Sequence, residues 1–114
     1  MAGETLHEER EALSPEILDR HRAICTIMEE LEAIDWYDQR IKASTDPELQ
    51  SVLAHNRNEE KEHASMLLEW LRRHDPELDA HLRTYLFSQG PIREVSQGAG
   101  GARGGGRAIG SLKG

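Results

Sequence analysis

Cysteine occurs once, at position 25. The chain therefore cannot close a disulfide on itself, and it cannot build a cysteine zinc site or a rubredoxin-type iron site. Long apolar runs are absent too, which leaves nothing long enough to span a bilayer. The first residues, MAGETLHEEREALS, are charged and hold no apolar stretch. No usual secretory leader is expected there, and the expected location is the cytoplasm. Positive charge is scarce: 14 Lys and Arg stand against 21 Asp and Glu, a net −7. That balance argues against nucleic acid as a partner and suits cations. No nucleotide-binding loop, nucleophile triad or basic aromatic stripe is present. Hydrophobic residues fill 37% of 114 positions. This is enough for a few amphipathic helices but thin for an independent core, and small chains often complete their burial by self-association.

Three phrases punctuate what is there: Ser14-Pro15-Glu16-Ile17, Asp46-Pro47-Glu48-Leu49 and Asp75-Pro76-Glu77-Leu78. Each reads as an N-cap, a proline in the first helical position, then an acid favourable to the helix dipole. They predict helix starts near 15, 47 and 76. The first helix is expected to run to about Lys42, with Ala43-Ser44-Thr45 as a short link. The second is expected to run to about His74, and the third, PELDAHLRTYLF, to stop before Gly90-Pro91. Ile17, Ile24 and Leu31 repeat every seven residues in the first helix, and Ile27, Ile34 and Ile41 do the same. The interlocking repeats make a seam for other long helices. The short link forces an antiparallel hairpin. The expected fold is all-α: a two-helix hairpin and a short third helix over 14–95, after a flexible segment, 1–13. Residues 96–114 are glycine-rich, have no acids and carry Arg103, Arg107 and Lys113. They read as a flexible tether. Residues 1–95 then carry −10, the −7 of the whole chain less the +3 of this stretch. Ile109 and Leu112 near its end fit either a frayed terminus or a docking peptide.

The stretch NEEKEHASMLLEWL sets Glu60 and His63 three apart on one helical face, inside the apolar stripe of Leu49, Val52, Leu53, Leu67 and Leu71. Alone, such a pair is weak: a core histidine and a solvated acid would look the same. Glu30, between Ile27 and Ile34, changes that. It lies as far before Thr45 as Glu60 lies after it, so both fall about 22 Å from the turn of an antiparallel hairpin. One glutamate level with one Glu-x-x-His is half of a carboxylate di-metal site, whose full set takes the same again from two further helices. A second copy related by a two-fold axis would supply that half. Four carboxylates then balance two divalent cations, with iron or manganese suited to the donor set. Tyr37, two turns from Glu30, is either a hydrogen-bond partner beside the centre or an amphipathic interface residue. Glu29, Glu32 and Trp36 share the opposite face. They read as solvated acids beside a subunit contact, or as a weak site where divalent cations first bind before passing inward to Glu30. Asp35 and Asp38 add to that field without being ligands. His7, His21, His55, His74 and His81 show no ligand spacing, and Cys25 reads as a small buried apolar residue.

At MEELEAIDWYDQR (Met28 to Arg40), STDPELQSVLAHNRNEEKEHASMLLEWLRR (Ser44 to Arg73) and HLRTYLFSQGPI (His81 to Ile92), the sequence resembles the encapsulated ferritins of bacteria and archaea. The terminal GSLKG resembles the targeting peptides of encapsulin cargo, which favours the docking reading of residues 108–114. The resemblance implies a ferritin-like four-helix bundle made by two chains, and an annular decamer of five dimers. It implies ferroxidase centres between subunits at Glu30, Glu60 and His63, with Tyr37 beside them and Glu29, Glu32 and Trp36 as the site of metal uptake. It further implies that Fe²⁺ is oxidised at a di-iron centre and stored by an encapsulin nanocompartment that encloses the protein. Two other readings stay open on the same residues. One is a rubrerythrin-like di-iron peroxidase, which would need an electron donor. The other is a non-catalytic helical cargo or adaptor whose metal only staples subunits.

Overall fold

The computed structural model describes residues 6–96 and is all-helical there. Helix α1 spans Pro15–Ala43, α2 spans Pro47–His74 and α3 spans Pro76–Tyr85. Each starts where its proline predicts, for the expected reason. Ser14 Oγ accepts from the Ile17 N–H at 3.1 Å, and Asp75 Oδ1 accepts from the Leu78 N–H at 3.0 Å. At α2, Asp46 Oδ1 accepts from the Glu48 N–H at 3.1 Å. These bonds satisfy amide groups that the first helical turn leaves without partners.

Two boundaries differ from expectation. Helix α1 includes Ala43, so the link is Ser44-Thr45-Asp46. The Asp46 N–H donates to Ser44 Oγ at 3.2 Å, and the Gln50 side-chain amide donates to the carbonyls of Ile41 and Ser44. The link is thus tied to both helices it joins. Helix α3 stops at Tyr85, short of Leu86-Phe87: Leu86 turns to extended backbone with ψ of 135°, and Phe87 after it takes a left-handed backbone with φ of 61°. A β-carbon is disfavoured there by about 1–2 kcal/mol. Single 3₁₀ turns at Arg10–Ala12 and Ile92–Glu94 were not legible in the sequence, and the first falls within the segment expected to be flexible.

The chain divides into two compact units after Leu71. In the first, α1 and α2 run antiparallel: Gln50 reaches Ile41, Arg57 reaches Asp38 and His63 reaches Glu30, so partners move apart in sequence at every step from the turn. Ile27, Ile34 and Ile41 are half-buried, and Ala23 is buried. The other seam of α1, Ile17, Ile24, Met28 and Leu31, is exposed, as are Leu49, Val52 and Met66 on α2. A hairpin alone thus leaves much of its apolar surface in water.

In the second unit, Asp79 on α3 accepts from Arg72 at the end of α2 and from Arg83 Nε at 3.0 Å. Burial disfavours the Asp79 charge, but the two arginines outweigh it and hold the carboxyl below its usual value. A depressed carboxyl stabilises the fold above its unfolded pKa, and that contribution is lost as the pH falls through the folded value. Asp79→Asn is therefore expected to lower unfolding stability by about 1–2 kcal/mol at neutral pH. Denaturant titrations should show the gap between variant and wild type closing in acid below the ordinary Asp range.

Candidate metal centre

Glu30 comes from the covered side of α1, and Glu60 and His63 from successive turns of α2. Their ligating atoms lie within 4.8 Å of one another, the one cluster of three or more such groups found among the described residues. His63 Nδ1 stands 3.2 Å from Glu60 Oε1 and 3.6 Å from Glu30 Oε1. The three expected residues are therefore brought together within a single chain. Burial is graded: the side chain of Glu30 is 19% exposed, that of Glu60 26%, and that of His63 45%. His63 falls within about 20° of the direction of Val52 and one turn before Met66. It thus stands in the open apolar stripe of α2.

Glu30 Oε1 is closed off from solvent and has no hydrogen-bond partner. Such an oxygen costs roughly 1–3 kcal/mol when left unpaired, more when charged. The Glu60 carboxyl, with which Glu30 competes for one proton, is the first cause that raises the Glu30 pKa; burial and the Glu60 charge add, and His63 opposes. Glu60 is correspondingly lowered, first by Glu30 and then by His63 against the effect of burial. The hydrogen bond to Glu60 leads in raising His63. The two acids are coupled, each shifting the other in the opposite direction. A cation would give Glu30 Oε1 a partner and relieve the repulsion. Two carboxylate oxygens and one imidazole nitrogen suit iron or manganese. The donor set fits such an ion and, with three donors, leaves coordination positions open.

The other expected residues are placed differently. Glu29 is exposed and Glu32 half-buried, and neither belongs to a ligating cluster of three. Trp36 is exposed and lines an open cavity of about 260 Å³ with Gln39 and Arg40. The Arg40 guanidinium lies 5.8 Å from the Trp36 ring centre and 5.9 Å from that of Tyr37. Within one chain, the Tyr37 ring thus meets the Arg40 cation. The spacing of Arg40, three and four residues beyond these rings, was a readable signal that went unused. Of the nearby acids, Asp35 accepts from the neutral Gln39 amide and Asp38 pairs with the Arg57 guanidinium. His21, which shows no ligand spacing, packs against half-buried Cys25, with ring nitrogens 3.5 and 3.7 Å from Sγ.

Comparison with known proteins finds relatives over most of the chain. The sequence model of the EncFtn-like family matches residues 5–89. The chain is 57% identical over 122 aligned positions to the encapsulated ferritin-like protein of Rhodospirillum rubrum, covering 95% of this chain and 87% of that one. An encapsulin nanocompartment cargo protein of Myxococcus xanthus is 39% identical over 54 positions, 47% of this chain and 42% of its own. A crystal structure of a protein from Nitrosomonas europaea superposes with a TM-score of 0.75 at 55% identity, covering 78% of this chain and 98% of that one.

His63 is held above its usual value, and its ring nitrogen must give up its proton to take a cation. Affinity for Co²⁺ should therefore rise with pH, by up to about tenfold per unit for each proton displaced. Titrations that give the same affinity on both sides of the histidine range would contradict this assignment.

Proposed function

Because this chain belongs to the EncFtn-like family, we propose that it is a ferroxidase whose site is completed by a second copy of itself. The observation that carries the reading is the convergence of Glu30, Glu60 and His63 around a carboxylate oxygen that is buried and without a partner. Fe²⁺ is the substrate. Glu30 and Glu60 supply the anionic oxygens and His63 the nitrogen, so one chain offers half the donors that a pair of ions needs. Two Fe²⁺ give one electron each to dioxygen, which with two protons leaves as hydrogen peroxide, and two Fe³⁺ result. Placing four carboxylates around two cations makes the charge tolerable away from water. The exposed apolar seams of α1 and α2 support pairing, since they hold surface that a small chain does not cover by itself.

In the same reading, Tyr37 sits beside the centre, and Glu29, Glu32 and Trp36 form the outer point of cation uptake. The dimers close into a ring of five. The oxidised iron passes to an encapsulin shell, which the chain engages through residues 108–114, inside a nanocompartment in the cytoplasm. Those terminal residues lie outside the described ones. The encapsulated relative from Rhodospirillum rubrum and the cargo protein from Myxococcus xanthus support this part of the proposal.

Anaerobic loading with Fe²⁺ followed by air tests the reaction. A ferroxidase turns over and develops Fe³⁺ absorbance; a metal-stapled adaptor binds iron and oxidises it no faster than buffer. A peroxidase consumes peroxide at the expense of an added electron donor. Outer partners of metal ligands alone are worth 10–100-fold, so Glu60→Ala or His63→Ala should lower the oxidation rate by more than about 100-fold. Helix content by circular dichroism should be unchanged. Deleting residues 109–114 should spare oxidation and abolish co-purification with a co-expressed encapsulin shell; association that survives the deletion removes the peptide from the account.

A further inference from the structure

One ion pair in the hairpin sits beside the metal cluster without belonging to it. Arg57, on α2, reaches across to α1, where its Nη1 binds Asp38 Oδ1 at 2.9 Å. Its Nε donates to Asn58 Oδ1 at 3.4 Å. The guanidinium is thus held at two points, and its side chain is 25% exposed. Side chains three or four apart on a helix are neighbours. On α2 those neighbours of Arg57 are Leu53, Ala54, Glu60 and Lys61. Glu60 alone among them is acidic. It is also a member of the cluster with Glu30 and His63.

A guanidinium that turned to Glu60 would do two things. It would occupy the carboxylate oxygens bidentately, in the geometry that arginine favours. It would also bring a fixed positive charge to where a divalent cation must sit, and like charges at such range repel strongly outside bulk water. We propose that Asp38 is a positioning residue: it draws the Arg57 guanidinium across to α1 and so keeps the Glu60 carboxylate free for a metal ion. This rests on the reading that Glu30, Glu60 and His63 bind metal. It adds a residue that touches neither ion nor substrate and acts through Arg57.

The inference separates two variants that break the same bridge. Asp38→Asn removes the acceptor and releases a cation next to Glu60. Arg57→Gln removes the cation itself. If the bridge served only to fasten α1 to α2, both would loosen the hairpin and both would weaken metal binding. If Asp38 holds Arg57 back, the effects have opposite sign. Co²⁺ titration of the full chain, followed by calorimetry and by the visible absorption of the bound ion, reads this directly without turnover. Asp38→Asn should weaken Co²⁺ binding by about twofold, as expected when a cation one helical turn away competes for one carboxylate. Arg57→Gln should bind as tightly as wild type or more tightly. The double variant should recover wild-type affinity. Circular dichroism and mass measurement on each variant hold folding and self-association constant. Equal weakening in both single variants, or an unchanged Asp38→Asn, overturns the role of Asp38 while leaving the metal site standing. Co²⁺ binding by the wild type that is indifferent to Glu60→Ala overturns the metal site, and this inference with it.

Discussion

Two carboxyl groups and one imidazole held close together compete for the same protons and cations. Their mutual contact shifts Glu30 up and Glu60 down, and one oxygen of Glu30 is closed off from solvent without a hydrogen-bond partner. A carboxylate oxygen in that position is costly unless something pairs with it. A positive ion would be such a partner. Much else in the hairpin follows from holding this tension in position. The prolines and caps fix where each helix begins. The ties at the turn fix how far one helix has run when it passes the other.

Burial is graded across the cluster. Glu30 lies deepest, Glu60 next, and His63 opens onto the exposed apolar stripe of α2. The acid that most needs a counter-ion is inside, while the nitrogen donor stands at the exposed edge. The same surface that leaves the hairpin thinly covered therefore also leaves the cluster accessible. Family membership and the fold shared with the Nitrosomonas europaea structure place this arrangement among helical ferritin-like proteins.

Much of this was legible in the sequence because it rests on periodicity. Helix starts followed from Ser14-Pro15, Asp46-Pro47 and Asp75-Pro76, where one residue type answers one backbone need. Glu30, Glu60 and His63 followed from helical spacing and equal distance from a turn. The resemblance to encapsulated ferritins held at the level of the family. Other features depend on contacts that no spacing encodes. The Arg57–Asp38 bridge depends on how α1 and α2 are rotated against each other, which hydrophobic pattern fixes only loosely. The early end of α3 comes with Leu86 extended and Phe87 in a conformation usually left to glycine, so the residue types mislead. The ring contacts of Arg40 with Trp36 and Tyr37 show the opposite failing: the spacing was present, but acids drew the attention.

The connection between α1 and α2 invites a last conclusion. Surface loops usually absorb insertions at slight thermodynamic expense. Ser44-Thr45-Asp46 is short, and Gln50 and Asp46 lash it to the helices on either side. One additional amino acid there would shift α2 along α1 by about 1.5 Å and turn it by about 100° if taken up in helix. Chemistry some four turns away would be dismantled by an edit that touches none of its atoms. The loop acts as a gauge block, and its length belongs to the specification of the centre as much as any ligand does.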